Sequence, residues 1–177
     1  MQNRTPRIPQ QPAPNHRAEF DARLTAELAA VVTGARRRAL RDGDRQIDTA
    51  HLLHSLIESD PEVRAAFDGG PQLARVLGYL VQRSIGYGLR WQGAVEDSGA
   101  LPVVTDRGAE GWSPSAASAM AGAYRRARLL GRERAGGRDL LVALTADREC
   151  RAVEVLERAG VDAALLEDRI VEESSRE

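Results

Sequence analysis

The chain has 177 residues, with 26 acidic and 25 basic side chains and a formal net charge of −1. A chain of this length suits one domain, or two tightly associated half-domains, and it can bury a core. The near-zero charge gives no general attraction to nucleic acid or to an anionic membrane. All 25 basic residues are arginine, and the lack of lysine excludes both a Walker-type phosphate loop and Schiff-base catalysis.

The sequence predicts neither membrane insertion nor export. It has no run of 18 apolar residues that could form a transmembrane helix. Residues 1–15 carry prolines and glutamines where a signal peptide needs an apolar segment, and we expect them to form a disordered tail. Cys150 is the single cysteine, which excludes an intrachain disulfide. These features predict a cytoplasmic protein.

Helical periodicity begins after the tail. Apolar residues recur at spacings of three and four from Phe20 to Ala39, which predicts one long helix starting near His16. Gly43 suits the left-handed position that ends a helix. A second helix is predicted from near Asp48 and Thr49, either of which can cap its free amides.

A capping residue followed by a proline marks the start of the next predicted helix. Asp60 and Pro61 predict a short third helix, and a fourth is predicted over about 71–85. The glycine-rich stretch that follows has no helical period and is interpreted as a connector. Four more helices then repeat the plan, the last one capped by Asp162. The predicted organisation is a tail over 1–15, a first repeat over 16–85, a connector over 86–111, a second repeat over 112–172 and a C-terminal tail over 173–177.

The two halves of the chain correspond at an offset of 88 residues. The equivalent pairs include Leu24 and Trp112, Thr25 and Ser113, Ala39 and Ala127, Gly43 and Gly131, Leu52 and Leu140, and Leu53 and Leu141. Duplicated helical units of this kind usually pack as a pseudo-symmetric pair. We therefore predict an all-α fold of about eight helices, in two tandem four-helix repeats that form one compact domain.

The residues of this duplication resemble Clp repeats. The stretch from Trp112 to Gly131, WSPSAASAMAGAYRRARLLG, is similar to the opening F-T-P-R-A-x-x-V-L-x-x-A-x-x-E-A-R-x-L-G of such a repeat. The stretch from Gly43 to Leu53, GDRQIDTAHLL, is similar to G-H-N-x-I-G-T-E-H-L-L. The resemblance covers roughly residues 20–172. It implies the N-terminal domain of Clp-type AAA+ unfoldases, a pair of four-helix repeats that receives substrates and adaptor proteins, here free-standing and without an ATPase module.

The chain departs from the Clp pattern at one informative position. In family members that recognise phosphorylated arginine, the glutamate of G-T-E-H holds the guanidinium group, as charge pairing requires. This position is Ala50 in the first repeat and Arg138 in the second. Alanine cannot pair with a guanidinium and arginine would repel it, so the usual phosphoarginine recognition is not predicted.

Metal binding and catalysis have weak support in the sequence. His51 and His54 lie three residues apart on one predicted helix, with Asp48 and Glu58 at neighbouring helical positions. Two histidines without a Glu-x-x-His partner elsewhere more often serve capping or packing, so no metal and no cofactor are predicted. Cys150 has no histidine near it in sequence, and no nucleophile–base pair is apparent. A non-enzymatic protein is predicted.

Two arginine clusters and one tryptophan are the candidate contacts for a partner. The clusters lie at the ends of the first helix of each repeat, where cations are also favourable for the helix itself. Trp91 lies in the connector, where it either anchors a partner or folds back into the groove between the repeats. The predicted partner-binding residues are Arg36, Arg37, Arg38, Trp91, Arg125, Arg126 and Arg138.

The sequence thus favours a non-catalytic binding module that modulates Clp proteolysis by competition, bridging or sequestration. Its predicted partners are Clp unfoldase components, adaptor or substrate proteins, or Clp-directed small molecules. The alternative is a nucleic-acid-associated regulator that uses the paired arginine clusters. That alternative lacks interleaved aromatic residues and a basic net charge.

Overall fold

The computed structural model describes residues 16–84, 95–97 and 111–176, and the secondary structure within these ranges is helical. The helices are α1 (His16–Asp21), α2 (Ala26–Asp42), α3 (Thr49–Ser59), α4 (Pro61–Ala65), α5 (Gly69–Ser84), α6 (Pro114–Leu129), α7 (Gly137–Ala146), α8 (Arg151–Arg158) and α9 (Ala163–Ser174). None of these described helices is long and apolar enough to span a membrane. The predicted tail over 1–15, Trp91 and most of the predicted connector lie outside the described residues.

The all-α prediction is confirmed, but the single long first helix is wrong. The chain leaves the helix after Asp21, and α2 begins only after Thr25. Thr25 is extended (φ −63°, ψ 159°), and its hydroxyl oxygen accepts a hydrogen bond from the Leu28 amide at 3.2 Å. This cap starts a new helix, so the described ranges hold nine helices rather than eight. Leu24 is nevertheless buried, which is why the apolar period runs through the break.

Capping side chains begin the later helices where the sequence predicts them. Asp48 accepts from the His51 amide at the start of α3, and Asp60 accepts from the amides of Glu62 and Val63 at the start of α4. In the second repeat Asp162 caps α9 in the same manner. The predicted limits shift slightly, because α5 starts two residues before Pro71 and α9 extends to Ser174, inside the predicted C-terminal tail.

Two isolated β-bridges join the repeats in a symmetric manner. Leu24 pairs with Ala135, and Ile47 pairs with Trp112, both in parallel. Four backbone hydrogen bonds form these bridges: Thr25 N to Ala135 O at 2.9 Å, Ala135 N to Arg23 O at 2.9 Å, Ser113 N to Ile47 O at 2.8 Å, and Ile47 N to Gly111 O at 2.8 Å. The 88-residue offset converts each bond of the first bridge into a bond of the second. The extended residues just before α2 and just before α6 therefore each pair with the other repeat, as in a pseudo-twofold dimer.

The core lies between the repeats and is built mainly on α3 and α7. Leu52 and Leu53 of α3, and the equivalent Leu140 and Leu141 of α7, are fully buried. Trp112 is 5% exposed and meets the ring of Phe20 edge-on, with 5.7 Å between ring centroids. Trp112 is therefore part of the core, and Phe20 of α1 packs against it.

Candidate partner-binding site

A buried carboxylate at the junction of the repeats belongs to the predicted connector. Glu96 is 6% exposed and accepts hydrogen bonds from the Thr49 amide at 2.9 Å and the Arg151 amide at 2.8 Å. It also accepts from the hydroxyl groups of Ser113, at 2.8 Å, and Thr49. Two of these donors are the first amides of α3 and α8, where helix dipoles favour negative charge. Glu96 therefore attaches the described part of the connector to both repeats.

Glu96 is not among the residues predicted from the sequence. The one sign of it there is that α8 begins without a side chain that caps its free amides. The N-cap residue of α8 is Cys150, whose side chain makes no capping hydrogen bond. In the first repeat the N-cap residue of the equivalent helix α4 is Asp60, whose own side chain makes the capping hydrogen bonds. The amides at the start of α8 instead bond to Glu96 and to the Thr49 hydroxyl, which accepts from Ala152 N at 2.9 Å. The second repeat thus takes its cap from elsewhere in the chain.

Asp48 is a second charged centre at this junction. Its carboxylate accepts from Arg151 at 2.9 Å and from Arg83, and it caps α3 through the His51 amide. Burial raises the pKa of Asp48, but the hydrogen bonds from His51 and the charge of Arg83 outweigh burial and hold that pKa well below its usual range. The ionised Asp48 therefore ties α3 to α5 and α8.

The second repeat places an aspartate where the first has His51. Asp139 is fully buried, and its carboxylate accepts from Arg126 at 2.7 Å and from both terminal nitrogens of Arg132, at 2.8 and 2.7 Å. It also accepts from the Gly136 amide at 2.9 Å, which fixes the first turn of α7. The predicted contact residue Arg126 is therefore engaged within the protein.

Arg138 lies beside a cleft of about 280 Å³ at the start of α7. The cleft is lined by Glu62, Leu130, Arg132, Gly136, Gly137, Arg138, Asp139 and Ser174. The Arg138 guanidinium lies 3.6 Å from a carboxylate oxygen of Glu62 and 3.8 Å from one of Glu173, and its side chain is 22% exposed. In the first repeat the equivalent Ala50 is fully buried and offers no polar group. The two repeats therefore present different chemistry at this position.

The predicted arginine clusters separate into buried and exposed members. Arg38 is 14% exposed and pairs with Glu58 of α3, while Arg36 is half-buried. Arg37 and Arg125 are exposed. Trp91 is outside the described residues, so its role stays a prediction.

The exposed arginines lie next to exposed leucines at the ends of two equivalent helices. On α2 the set is Arg37, Leu40 and Arg41, and we call it the α2 basic-apolar end. On α6 the set is Arg125, Arg128 and Leu129, which we call the α6 basic-apolar end. Leu40 is 74% exposed and Leu129 is 82% exposed. Each set combines cationic groups with uncovered apolar surface, a composition that suits an amphipathic acidic partner.

No family model and no curated protein matches this chain. Solved structures do match it, and one is the N-terminal domain of the caseinolytic-protease-associated chaperone ClpD from Arabidopsis thaliana. The TM-score is 0.60 at 21% sequence identity, over 87% of this chain and 95% of the ClpD domain. The fold is that of a Clp N-domain. A structure from a study of a malarial protein secretion system matches with a TM-score of 0.61 at 14% identity, over 87% and 96% of the two chains.

The Clp N-domain fold confirms the architecture that the resemblance implies. The TM-scores of 0.60 and 0.61 establish the fold, and at identities of 21% and 14% the likeness extends to the fold alone. Arg138 and Ala50 occupy equivalent positions in the two repeats, and Arg138 already contacts Glu62. A guanidinium ligand would meet like charge at the second repeat and no charge at the first.

His54 makes the stability of the folded protein depend on pH. Burial and the charge of Arg38 lower the pKa of His54 from 6.5 to about 4, and Arg41 acts in the same direction. The carboxylates of Glu58, 3.3 Å from Nε2, and of Asp42 oppose this shift. The unfolded chain therefore binds a proton between about pH 6.5 and 4 that the folded protein does not, and stability falls as the pH is lowered through that window.

We expect the His54→Gln variant to lose less stability on acidification than the unaltered protein. The difference should be on the order of 1–3 kcal/mol between about pH 7 and 4. Urea unfolding followed by circular dichroism at several pH values measures it. A Val95→Ala variant, which changes an exposed side chain that does not titrate, serves as the control and should keep the original pH dependence. Equal slopes for His54→Gln and the unaltered protein would contradict the assignment.

Proposed function

We propose that this protein is a non-catalytic binding module of the cytoplasm that competes with, bridges or sequesters the partners of a Clp unfoldase. The observation that carries the proposal is the pair of basic-apolar ends, at equivalent positions on α2 and α6. Two similar surfaces on one rigid scaffold allow one molecule to hold two partners, or two segments of one partner, with a gain in avidity. The Clp N-domain fold supports the choice of partners.

The chemistry of the buried groups supports a non-enzymatic role. Burial raises the pKa of the Cys150 thiol to about 11, and its Sγ contacts the Leu144 carbonyl oxygen at 3.4 Å. A thiol with this pKa is protonated at neutral pH and is a poor nucleophile. His51 is buried, and its Nδ1 accepts a hydrogen bond from the amide of Asp48, the residue that caps α3. Neither residue is placed to attack a substrate.

The partner is an acidic, partly apolar protein segment of a Clp substrate, adaptor or unfoldase. Arginine side chains favour carboxylates because they donate two parallel hydrogen bonds. Leu40 and Leu129 would bury apolar surface against the same segment. A Clp-directed small molecule of similar character would use the same surface and would be held away from the unfoldase.

The test measures inhibition of an adaptor-dependent Clp protease degrading a fluorescent substrate. Increasing amounts of the protein should slow degradation, and an Arg37→Glu/Arg125→Glu variant should need about tenfold more protein for the same effect, a loss of about 1.4 kcal/mol in binding. Arg75→Glu, an exposed charge reversal on α5, is the matched control. A degradation rate that stays unchanged at every concentration of the added protein would contradict the proposal.

The nucleic-acid alternative fits the geometry less well. Arg38 and Arg126 face Glu58 and Asp139, so each cluster offers fewer cations to a phosphate backbone than its sequence suggests. A duplex DNA mobility shift at low salt, lost in Arg37→Glu/Arg125→Glu, is the result that would favour it.

A further inference from the structure

Two arginine side chains lie against one tyrosine ring at the α6 basic-apolar end. The guanidinium carbon of Arg23 lies over the Tyr124 ring, 5.2 Å from its centroid, and that of Arg128 lies 5.9 Å from the same centroid. Both distances are within the limit of about 6 Å at which a cation is attracted to the face of an aromatic ring. We call these three residues the Arg-Tyr-Arg stack.

The two arginines of the stack come from different repeats. Arg128 follows Tyr124 by four residues on α6, a spacing that brings two side chains together on one helix face. Arg23 precedes α2 in the first repeat, and its carbonyl oxygen accepts a hydrogen bond from the Ala135 amide at 2.9 Å. The β-bridge between Leu24 and Ala135 therefore holds Arg23 next to an aromatic ring of the other repeat.

An arginine that stacks on a ring can still bind a carboxylate. The ring covers one face of the guanidinium group, whereas the N–H groups point outward in its plane, where they can donate two parallel hydrogen bonds. A side chain that is already held on a ring also loses less conformational freedom when a partner binds. Arg23 and Arg128 are both exposed, so a partner can reach them from solvent.

Other cations lie near the stack. Arg125 is exposed on α6 directly after the tyrosine. Arg134 precedes the parallel β-bridge in one segment as Arg23 does in the other, so these two exposed arginines lie side by side. The acidic residues next to them along the chain are Asp21 and Glu133, both exposed. Arginines outnumber acidic residues here, so the surface attracts carboxylates.

The first repeat has no equivalent of the stack. At the 88-residue offset, the corresponding residues are Arg36 for Tyr124, Leu40 for Arg128 and Gly111 for Arg23. None of these three is aromatic, and glycine brings no cation. The α2 basic-apolar end therefore lacks the ring that holds the arginines of the α6 basic-apolar end.

We infer that the Arg-Tyr-Arg stack is the tighter of the two docking sites and binds the carboxylates of an acidic, leucine-containing protein segment. The inference rests on the proposed function for the class of partner, and it adds which end binds more tightly and why. Tyr124 is a positioning residue, because it holds two guanidinium groups for the partner and carries no charge itself. Apolar side chains of the segment cover Leu129, which is 82% exposed.

Fluorescence polarisation with a fluorescein-labelled peptide of alternating glutamate and leucine tests the inference. Tyr124→Leu should raise the Kd roughly fivefold, because both arginines regain conformational freedom. The dependence of the Kd on salt should stay the same in this variant, since no charge is removed. Tyr124→Phe keeps the ring and should bind within about twofold of the unaltered protein. Circular dichroism confirms that the variants are folded.

Arg128→Gln and Arg41→Gln are a matched pair, since each removes one exposed cation from one of the two basic-apolar ends. Arg128→Gln should raise the Kd roughly fivefold or more and weaken its salt dependence, whereas Arg41→Gln should change the Kd by less than about twofold. Equal losses in these two variants would overturn the inference. Tyr124→Leu that binds as tightly as Tyr124→Phe, or an unaltered protein that does not bind the peptide, would also overturn it.

Two further outcomes separate this inference from its neighbours. Tighter binding of a single-stranded oligothymidylate than of the peptide would assign the stack to nucleic acid and overturn the inference. Peptide binding that depends on Tyr124, together with an unchanged rate of Clp degradation, would contradict the proposed function and support the stack as a site for acidic segments. Degradation slowed equally by the unaltered protein and by Tyr124→Leu would contradict the inference and leave the proposed function standing.

Discussion

Replacing Glu96 with alanine should destabilise the protein by about 3 kcal/mol, because buried donors that lose their acceptor each cost about 1 kcal/mol or more. The Thr49 and Arg151 amides, the Ser113 hydroxyl and the Thr49 hydroxyl all donate to this carboxylate. Urea unfolding followed by circular dichroism measures the change in the free energy of unfolding.

The neighbouring residue provides the control for this prediction. Val95 is 63% exposed, so Val95→Ala should change the free energy of unfolding by less than about 0.5 kcal/mol. Glu96→Gln should fall between the two, because the amide keeps the shape and one acceptor oxygen but turns an NH₂ group toward donors. A Glu96→Ala variant as stable as Val95→Ala would show that water replaces the carboxylate without cost.

Replacing Asp139 with alanine should also cost about 3 kcal/mol, since removal of one partner of a buried ion pair leaves the other charges uncompensated. Arg126, 15% exposed, and Arg132, 45% exposed, would both lose their carboxylate, and the Gly136 amide would lose its acceptor. Thermal and urea unfolding should both report the loss.

A surface ion pair of the same repeat gives the comparison. Arg148 lies 3.5 Å from Glu167, and their side chains are 48% and 29% exposed. Arg148→Ala should change stability by less than about 0.5 kcal/mol, as exposed pairs usually do. Similar losses for Asp139→Ala and Arg148→Ala would contradict the view that the buried Asp139 holds the start of α7.

Local signals allowed most of the fold to be predicted. The caps at Asp48, Asp60 and Asp162 act within three residues of themselves, so the sequence shows both the donor and the acceptor. The same logic applied to Thr25 would have divided the first helix correctly. Apolar spacing concealed that break, because Leu24 stays buried through a bridge to Ala135, which no local pattern reports.

The candidate sites depend on contacts that are distant in sequence. Glu96 lies 47 residues from Thr49 and 55 from Arg151, so its role cannot be inferred from spacing. Contacts distant in sequence also decide which arginines of a cluster are exposed. Arg38 pairs with Glu58, 20 residues away, whereas Arg37 beside it is exposed. The residue types at these sites can be read from the sequence, but the packing of the helices decides which side chains are exposed to a partner.

The paired β-bridges carry a consequence for how such a chain can be assembled. The amides of Thr25 and Ser113 donate to carbonyl oxygens of the opposite repeat, and the amides of Ala135 and Ile47 donate in the reverse direction. Such reciprocal contacts do not depend on a covalent link between the halves. Two separate chains, each carrying one repeat, could make all four bonds as a dimer. The four bonds therefore suit a noncovalent pair of single repeats as well as they suit the tandem chain.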